Sequence, residues 1–192
     1  MHLAKRGLRA LGIAESFSGR ASSTMAGVVM RKDLRIDGVA IASLTVGGMD
    51  ATDAVLGIIG SLGRRDINVV MVSGSVIAWY NVLDPDAISA ETGLPLIVVT
   101  YEDSEGLEED IIRHFPGDEA RLRAYRNLGE RVPVTLGEDS QVFIRTAGLS
   151  PEDAGRILRD FTRDGKVPEP VRVARLVARG AMRWQRDTGT TS

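Results

Sequence analysis

Two continuous apolar runs, Ile67–Val72 and Leu94–Thr100, constrain the fold of this chain more than any other feature. Uninterrupted apolar runs are typical of strands that are covered on both faces of a sheet. Between them, residues 84–93 have the composition of a short helix. Strand, helix and strand in this order imply parallel pairing through a right-handed crossover. The sequence therefore predicts that the middle of the chain forms the centre of an α/β sheet.

The helices flanking these strands carry recognisable end signals. Apolar residues recur with helical spacing between Asp50, a natural N-cap, and Gly63, a natural stop. Asp84 is the expected N-cap of the next helix, with Pro85 at its first position and an end by Gly93. Further helices are predicted over Gly106–Phe115, Asp118–Leu128, Pro151–Arg163 and a final segment after Lys166–Pro170.

The first part of the chain is instead typical of an antiparallel meander. Leu8–Ala14, Ala26–Arg31 and Gly38–Val46 are apolar runs with β-branched residues and short polar connections. One more strand is expected at Gln141–Thr146. An antiparallel meander followed by parallel crossover strands is the layout of a ribonuclease H-like three-layer α/β domain with a mixed sheet. We expect one such domain over residues 1–187 and a flexible tail over 188–192.

Composition limits the chemistry. The 192 residues contain no cysteine and two histidines, His2 and His114, so any metal site would need oxygen ligands. The basic opening segment lacks the features of a secretory signal, and no apolar stretch is long enough for a membrane span, so we expect a cytoplasmic protein with no membrane partner. The sequence carries no signal of oligomeric state.

Charge is distributed unevenly along the chain. The net charge is +5 over residues 1–36, −10 over residues 37–150 and +3 over residues 151–192. Such asymmetry indicates either a nucleic-acid partner or basic terminal segments that pack against the acidic middle. The final helix concentrates the positive charge in a stripe at helical spacing: Arg172, Arg175, Arg179, Arg183 and Arg186.

This arginine stripe has two interpretations. It is either a solvated helix face or a surface that contacts phosphates, for which Arg172, Arg175, Arg179 and Arg183 are the candidate residues. In both cases we expect the opposite stripe to face the core. That stripe consists of Val173, Val177, Gly180 and Trp184.

Polar residues follow the first central strand. Ser73, Gly74 and Ser75 lie at the carboxyl end of Ile67–Val72, where open α/β sheets usually bind ligands, and Asn81 follows shortly after. Two hydroxyls and a glycine could hold an anion or a sugar hydroxyl. A strand-ending turn without any ligand is the alternative interpretation.

Acidic residues near strand ends are candidates for metal-dependent phosphodiester hydrolysis, in which carboxylates hold two Mg²⁺ or Mn²⁺ ions about 4 Å apart. Glu15, at the end of the first strand, is the candidate metal ligand and catalytic residue. Asp50 and Asp84 are further catalytic candidates, although helix capping alone would explain each of them. Without such a site no cofactor is expected.

Five phrases in order resemble a family. They are Leu11–Ile13 followed by an acidic position, Gly48–Thr52, Asn81–Asp84, Thr92–Val99 and Pro168–Ala174. Together, over nearly the whole chain, they resemble domain-of-unknown-function family ninety-nine, a largely archaeal family that looks like a distant relative of endonuclease V. The resemblance implies a ribonuclease H-like fold and a Mg²⁺-dependent nuclease ancestry.

The sequence departs from the family's pattern at its acidic positions. The family usually has an Asp-Asp pair where this chain has Ala14-Glu15, and an Asp where it has Ser73. If the metal-binding position is 14, both principal acids are absent; if it is 15, Glu15 survives alone from that pair. A serine hydroxyl supplies no negative charge to balance Mg²⁺.

Three hypotheses follow. The first is a nucleic-acid-binding protein that keeps the scaffold with a degenerate nuclease centre. The second is an active Mg²⁺- or Mn²⁺-dependent endonuclease centred on Glu15. The third is a small-molecule or protein-binding module that uses the turn at Ser73–Ser75.

Overall fold

The computed structural model describes residues 7–17, 21–103, 106–137 and 140–188. Their strands form a seven-stranded sheet in the order β3-β2-β1-β4-β7-β9-β8 and a separate two-stranded hairpin of β5 and β6. The strands are β1 (Arg9–Ser16), β2 (Ser22–Arg31), β3 (Ile36–Thr45), β4 (Val69–Ser73), β5 (Val76–Ile77), β6 (Asn81–Val82), β7 (Leu96–Thr100), β8 (Val132–Gly137) and β9 (Ser140–Ala147). The helices are α1 (Ala51–Leu62), α2 (Pro85–Thr92), α3 (Glu108–His114), α4 (Glu119–Asn127), α5 (Pro151–Phe161) and α6 (Glu169–Thr188).

The sheet is mixed, as the sequence predicted. Strands β1, β2 and β3 pair antiparallel, whereas β1, β4 and β7 pair parallel. Strand β9 pairs antiparallel with β7, and β8 pairs antiparallel with β9. The carboxyl ends of β1, β4 and β7 therefore share one edge of the sheet, which we call the carboxyl edge.

Two hydrophobic cores lie on opposite faces of the sheet. The first contains Leu11 and Ile13 of β1 together with residues of α1 and α2, and we call this side the α1 face. The second contains Ala10 and Ala14 of β1 together with residues of α5 and α6, and we call it the α6 face. The side chains of one strand thus alternate between the two cores, which defines the three layers.

Close contact between β1 and α6 depends on Gly12. A Cβ atom at this position would lie 2.2 Å from the carbonyl carbon of Pro170, at the start of α6. Only a residue without a side chain lets the helix backbone approach the strand so closely. From this contact α6 runs to the carboxyl edge, where Thr24 Oγ1 lies 3.0 Å from Gln185 Oε1.

The expected caps of two helices are confirmed. The side chain of Asp84 accepts a hydrogen bond from the Ala87 amide at 3.0 Å, and that of Ser150 accepts one from the Asp153 amide at 3.2 Å. Both caps satisfy backbone donors that the first helical turn leaves free.

Two elements were not predicted from the sequence, and one expectation about α6 was wrong. Strand β8 was missed, because it is a half-exposed edge strand that contains Pro133 and lacks a clear apolar run. The hairpin of β5 and β6 was missed as well, since it has only two residues per strand. Gly180 and Trp184 do not face the core. Both are exposed, Trp184 by 68%, because at this end of α6 it is Met182 and Gln185 that contact β1 and β2. The buried stripe of α6 is Val171, Ala174 and Ala178, with Val173 and Val177 partly buried beside it.

The predicted tail begins at Thr188, which is the last residue of α6, and residues 189–192 lie outside the described residues. Within the described part of the chain, every helix is too short or too polar to cross a membrane.

Gly12→Ala should destabilise the protein because the new methyl group overlaps the backbone of Pro170. The expected loss is about 3 kcal/mol, the upper end of the usual range for an overpacked core. Gly57→Ala is the matched control, since nothing lies within 4 Å of a Cβ there. In the middle of α1, this control should stabilise by about 0.4–1 kcal/mol. Urea unfolding of both variants measures the difference, and equal stability of the two variants would contradict the close contact.

Candidate active-site edge

The pairing of β1 with β4 sorts the candidate residues onto opposite faces. Ile13 lies opposite Val72, so the next pair along the strands is Ala14 beside Ser73. Ala14 belongs to the core of the α6 face, and strand alternation directs Ser73 to the same face. Glu15 follows Ile13 onto the α1 face. The structure therefore separates Glu15 from Ser73 by the thickness of the sheet.

An arginine occupies the position beside Ser73. Arg175 Nη2 of α6 donates a hydrogen bond to Ser73 Oγ at 2.9 Å. The same guanidinium carbon lies 5.4 Å from the ring centroid of Tyr101, which follows β7. Burial raises the pKa of the Tyr101 hydroxyl, while Ser73 and Arg175 oppose this rise. On the α6 face, the carboxyl edge is thus lined by a methyl group, two hydroxyls and a cation.

These residues do not fit a divalent metal ion. Ala14 offers no ligand atom, and Ser73 is bonded to a guanidinium that would repel Mg²⁺. Within the described residues, no group of three Asp, Glu or His side chains is arranged to hold a metal. Of positions 14 and 15, it is Ala14 that shares a face with Ser73, whereas Glu15 lies on the other face.

Glu15 has partners of its own on the α1 face. Ser23 Oγ donates to Glu15 Oε2 at 2.5 Å, and the Ala78 amide donates to Glu15 Oε1 at 3.2 Å. Ala78 begins the tip of the hairpin of β5 and β6. The Glu15 carboxylate therefore holds this hairpin against the end of β1.

The hairpin tip has an unusual backbone. Ala78, Trp79 and Tyr80 have φ angles of 41°, 63° and 59°, in the left-handed region that non-glycine residues seldom adopt. Each such residue costs of the order of 1–3 kcal/mol, and such strain is often found at functional sites. It directs Trp79 outward, so that this side chain remains 47% exposed.

Aromatic rings surround the exposed tryptophan. The Trp79 ring centroid lies 4.9 Å from that of His114, and the Tyr80 ring stacks on His114 at 5.5 Å. Phe115 completes this group, with its centroid 6.0 Å from that of Tyr80. We call these four residues the aromatic cluster. It lies beside Glu15 at the carboxyl edge.

One buried arginine holds the aromatic cluster in place. Arg121 is 4% exposed, and its guanidinium donates to the carbonyl oxygens of Gly47, Gly48 and Tyr80 at 2.8, 2.8 and 2.5 Å. Its guanidinium carbon lies 3.9 Å from the Phe115 ring centroid, in a cation–π contact. Arg121 thus joins the loop after β3, the hairpin and α3.

Asp50 has a different role from the predicted one. It precedes α1 at the N-cap position, but its side chain makes no capping bond. Instead it accepts hydrogen bonds from the Thr45 amide at 3.0 Å and from Asn81 Nδ2 at 2.6 Å. Burial disfavours its charge, but the bonds from Asn81 and Thr45 outweigh burial and lower the pKa of Asp50.

Asn81 takes over the capping role. Its Oδ1 accepts a hydrogen bond from the Ala51 amide at 2.9 Å, and its Nδ2 also donates to the Thr45 carbonyl at 2.9 Å. Asn81 is fully buried. These hydrogen bonds join β6 to the start of α1. They favour a structural role for Asn81 over the predicted contact with a ligand.

The turn predicted at Ser73–Ser75 is divided between the two faces. Ser73 contacts α6, whereas Ser75 Oγ accepts a hydrogen bond from Arg145 Nη1 of β9 at 3.1 Å. Gly74, between them, has a φ of +83°, which a residue with a side chain rarely adopts. Asp84 is engaged in capping α2 and is not brought next to Glu15 by any contact in the described part of the chain.

The arginine stripe on α6 is also divided. Arg172 pairs with Glu169, and Arg186 pairs with Asp187 at 3.1 Å. Arg175 binds Ser73. Arg179 and Arg183 are exposed and have no ion-pair partner among the residues that the structure describes.

A model of the endonuclease dU family matches residues 6–182, which is most of the chain. The chain belongs to the endonuclease dU family. It is 39% identical over 176 residues to a UPF0215 protein of Pyrobaculum calidifontis, and the match covers 91% of this chain and 97% of that protein.

Solved structures agree with the fold of this endonuclease dU family member. A protein of unknown function from Archaeoglobus fulgidus has a TM-score of 0.79 and 28% identity, over 91% of this chain and 98% of that chain. Endonuclease V of Ciona intestinalis, in complex with DNA containing an inosine, has a TM-score of 0.64 and 14% identity, over 93% and 87%. The fold is thus the ribonuclease H-like fold of endonuclease V, as the sequence predicted.

Several residues at this edge of the endonuclease dU family member escaped sequence reasoning. Arg121 and Arg145 were not singled out, although Arg145 is the one charged residue within the apolar segment 142–147. The adjacent aromatics Trp79 and Tyr80 were visible in the sequence, but their contact with His114 depends on tertiary packing.

Asp50→Ala should destabilise the protein at pH 7 by about 1–3 kcal/mol, since it leaves the Asn81 amide and the Thr45 N–H without their acceptor. The folded pKa of Asp50 is lowered, so its contribution is present above the unfolded pKa and is lost as pH falls through the folded pKa. Urea unfolding from pH 7 to pH 3 should therefore show the difference from wild type shrinking. Asp164→Ala, at an exposed position, is the control and should change stability by less than about 0.5 kcal/mol.

Proposed function

We propose that this protein binds nucleic acid and no longer performs metal-dependent phosphodiester hydrolysis at the end of β4. The observation that carries the proposal is the hydrogen bond from Arg175 to Ser73 at 2.9 Å, beside Ala14. A guanidinium at the strand ends makes this edge attractive to phosphate and repulsive to Mg²⁺. The edge therefore suits a polyanion better than a divalent cation.

The exposed part of α6 supplies a binding surface. Arg179 and Arg183 follow Arg175 along α6 at the carboxyl edge, and both side chains are exposed. Guanidinium groups that lack an ion-pair partner among the described residues can contact phosphates without first breaking a salt bridge. Arg172 is a weaker candidate, since Glu169 already pairs with it.

The aromatic cluster supports binding of a strand with exposed bases. Trp79 is held outward at the same carboxyl edge, with His114 against its ring. Base stacking on aromatic side chains is worth about 1–3 kcal/mol per base and tolerates different sequences. A basic helix and an exposed aromatic ring at one edge are a combination typical of single-stranded nucleic-acid binding.

The related fold supports the same partner class. The Ciona intestinalis endonuclease V was solved with DNA that contains an inosine. Its identity to this chain is low, so the likeness supports the kind of partner rather than a particular lesion or sequence. Binding measurements with both DNA and RNA decide which of the two the protein prefers.

An active endonuclease is the second candidate, and the family description favours it. Glu15 is the acid at the end of β1 on which such an activity would centre, with Asp50 and Asp84 as the other proposed carboxylates. Against this candidate, Glu15 faces away from Ser73, Asp50 is bonded to Thr45 and Asn81, and Asp84 caps α2.

The double variant Arg179→Ala/Arg183→Ala should weaken nucleic-acid binding and its dependence on salt. The slope of log K against log salt should fall by about 1.4–1.8, because each lost phosphate contact contributes about 0.7–0.9. Fluorescence anisotropy with single- and double-stranded DNA and RNA at several salt concentrations measures both quantities.

The matched control for this experiment is Arg65→Ala/Arg163→Ala. It removes the same charge from two exposed arginines near the opposite end of the sheet. Binding by the control should stay close to that of wild type. Equal weakening of both double variants, or no binding by wild type at low salt, would overturn the proposal.

Wild-type protein should not cleave DNA that contains deoxyuridine or inosine, with Mg²⁺ or with Mn²⁺, because the end of β4 has Ser73 and Arg175 instead of a carboxylate. Denaturing gel electrophoresis is the measurement, with an active endonuclease V as positive control on the inosine substrate. Metal-dependent cleavage that disappears in Glu15→Gln would instead favour the second candidate.

A further inference from the structure

Arg145 is an arginine inside the protein without a carboxylate partner among the described residues. It lies on β9 opposite Val98, and its guanidinium is half-buried on the α1 face. Its Nε donates to the Gly129 carbonyl at 3.1 Å, and its Nη1 donates to Ser75 Oγ at 3.1 Å. A guanidinium has five N–H donors, so most of its donors are available to another acceptor.

The surroundings of Arg145 make its charge costly. Burial lowers the pKa of Arg145, and the positive charge of Arg131 lowers it further, whereas Tyr125 opposes the change. Arg131 is itself paired with Asp103 at 3.4 Å. A buried charge next to a like charge is stabilised when an anion binds between them.

A small cavity opens beside this guanidinium. It has a volume of about 110 Å³, and its described lining contains two arginines and several hydroxyls but no acidic residue. It lies past the ends of β4 and β7, where parallel sheets commonly bind ligands. Its lining residues are Gly74, Ser75, Val76, Thr100, Leu107, Tyr125, Arg131 and Arg145.

Hydroxyl donors complete the cavity. Ser75 is 4% exposed, and its oxygen accepts the bond from Arg145, which leaves its O–H free to donate. Tyr125 Oη likewise accepts a bond, from the Leu107 amide at 2.9 Å, and retains its own O–H. One guanidinium and two hydroxyls aimed at one space form a donor set that matches the oxygens of a tetrahedral oxyanion.

Space for a larger ligand continues outward from the small cavity. Arg145 also lines a neighbouring cleft of about 350 Å³, whose wall includes Phe143 and Tyr125. Among the described residues, acids line the outer space: Asp103 and Glu130 border the cleft of 350 Å³, and Glu108, Glu109 and Asp110 border a cleft of about 730 Å³ that Arg145 also lines. The distribution of charge thus favours the anionic group in the inner cavity and the remainder of the molecule outside.

We propose that the small cavity at Arg145 and Ser75 is a binding site for a phosphate group, distinct from the α6 surface. The phosphate is carried either by a small molecule such as a nucleoside monophosphate or by the end of a nucleic-acid strand. Binding of free phosphate does not depend on the function proposed above, because α6 lies on the opposite face of the sheet.

The test is titration of the full chain with inorganic phosphate. Isothermal titration calorimetry measures the affinity, and the shift in melting temperature provides an independent readout. Wild type should bind phosphate, and Arg145→Gln should bind at least tenfold more weakly. Arg123→Gln, an exposed arginine of α4 outside the small cavity, is the matched control and should bind like wild type. Sodium chloride at equal ionic strength controls for screening and should not reproduce the shift.

Ser75→Ala is a second variant that tests the site even if Arg145→Gln fails to fold. It removes one hydroxyl and should weaken phosphate binding several-fold while far-ultraviolet circular dichroism stays unchanged. Phosphate affinity that is the same in wild type, Arg145→Gln and Ser75→Ala would overturn the site, as would the absence of any phosphate binding by wild type.

Two further titrations identify the source of the phosphate. A nucleoside 5′-monophosphate that binds more tightly than inorganic phosphate, while the nucleoside alone does not bind, supports a small-molecule ligand. A 5′-phosphorylated oligonucleotide that loses its advantage over the 5′-hydroxyl form in Arg145→Gln supports a strand end. If oligonucleotide binding is lost only in Arg179→Ala/Arg183→Ala, the oligonucleotide binds at α6. The titration with inorganic phosphate then decides whether the site at Arg145 exists.

Discussion

The parallel pairing of β1 with β4 is the constraint on which the arrangement of the carboxyl edge depends. Because side chains alternate along a strand, a shift of one residue would exchange every side chain between the two faces. With Ile13 opposite Val72, Ala14 and Ser73 lie side by side on the α6 face, and Glu15 lies on the α1 face. The two buried cores hold this register, since a shift would place the side chains of each core in the other and disrupt the packing of both.

The two faces of the same edge consequently have different chemistry. On the α6 face, the close contact of Gly12 with Pro170 brings α6 near enough for Arg175 to reach Ser73. On the α1 face, Glu15 and Arg121 hold a strained hairpin that presents Trp79. The protein thus has a ribonuclease H-like scaffold whose carboxyl edge carries Ser73 and Arg175 on the α6 face, and Glu15 and the aromatic cluster on the α1 face.

Sequence patterns predicted most of the sheet and helices because those elements depend on local periodicity. The central strands are continuous apolar runs, and the caps Asp84 and Ser150 act within one helical turn. The positions that were missed or misplaced lack such a local pattern. Strand β8 is a half-exposed edge with a proline, and Trp184 lies beside the face of α6 that contacts β1 and β2, so neither position could be inferred from spacing.

By itself, the sequence determined the family, the mixed sheet and the absence of acids at positions 14 and 73, because residue identity and local periodicity are properties of the chain. Only the tertiary structure decided which face each strand-end residue occupies and which partner it meets. Ser73 and Arg175 are 102 residues apart, and Ser75 and Arg145 are 70 apart. Such contacts arise from strand register and helix packing, which bring distant parts of the chain together and leave no periodic signal in the sequence.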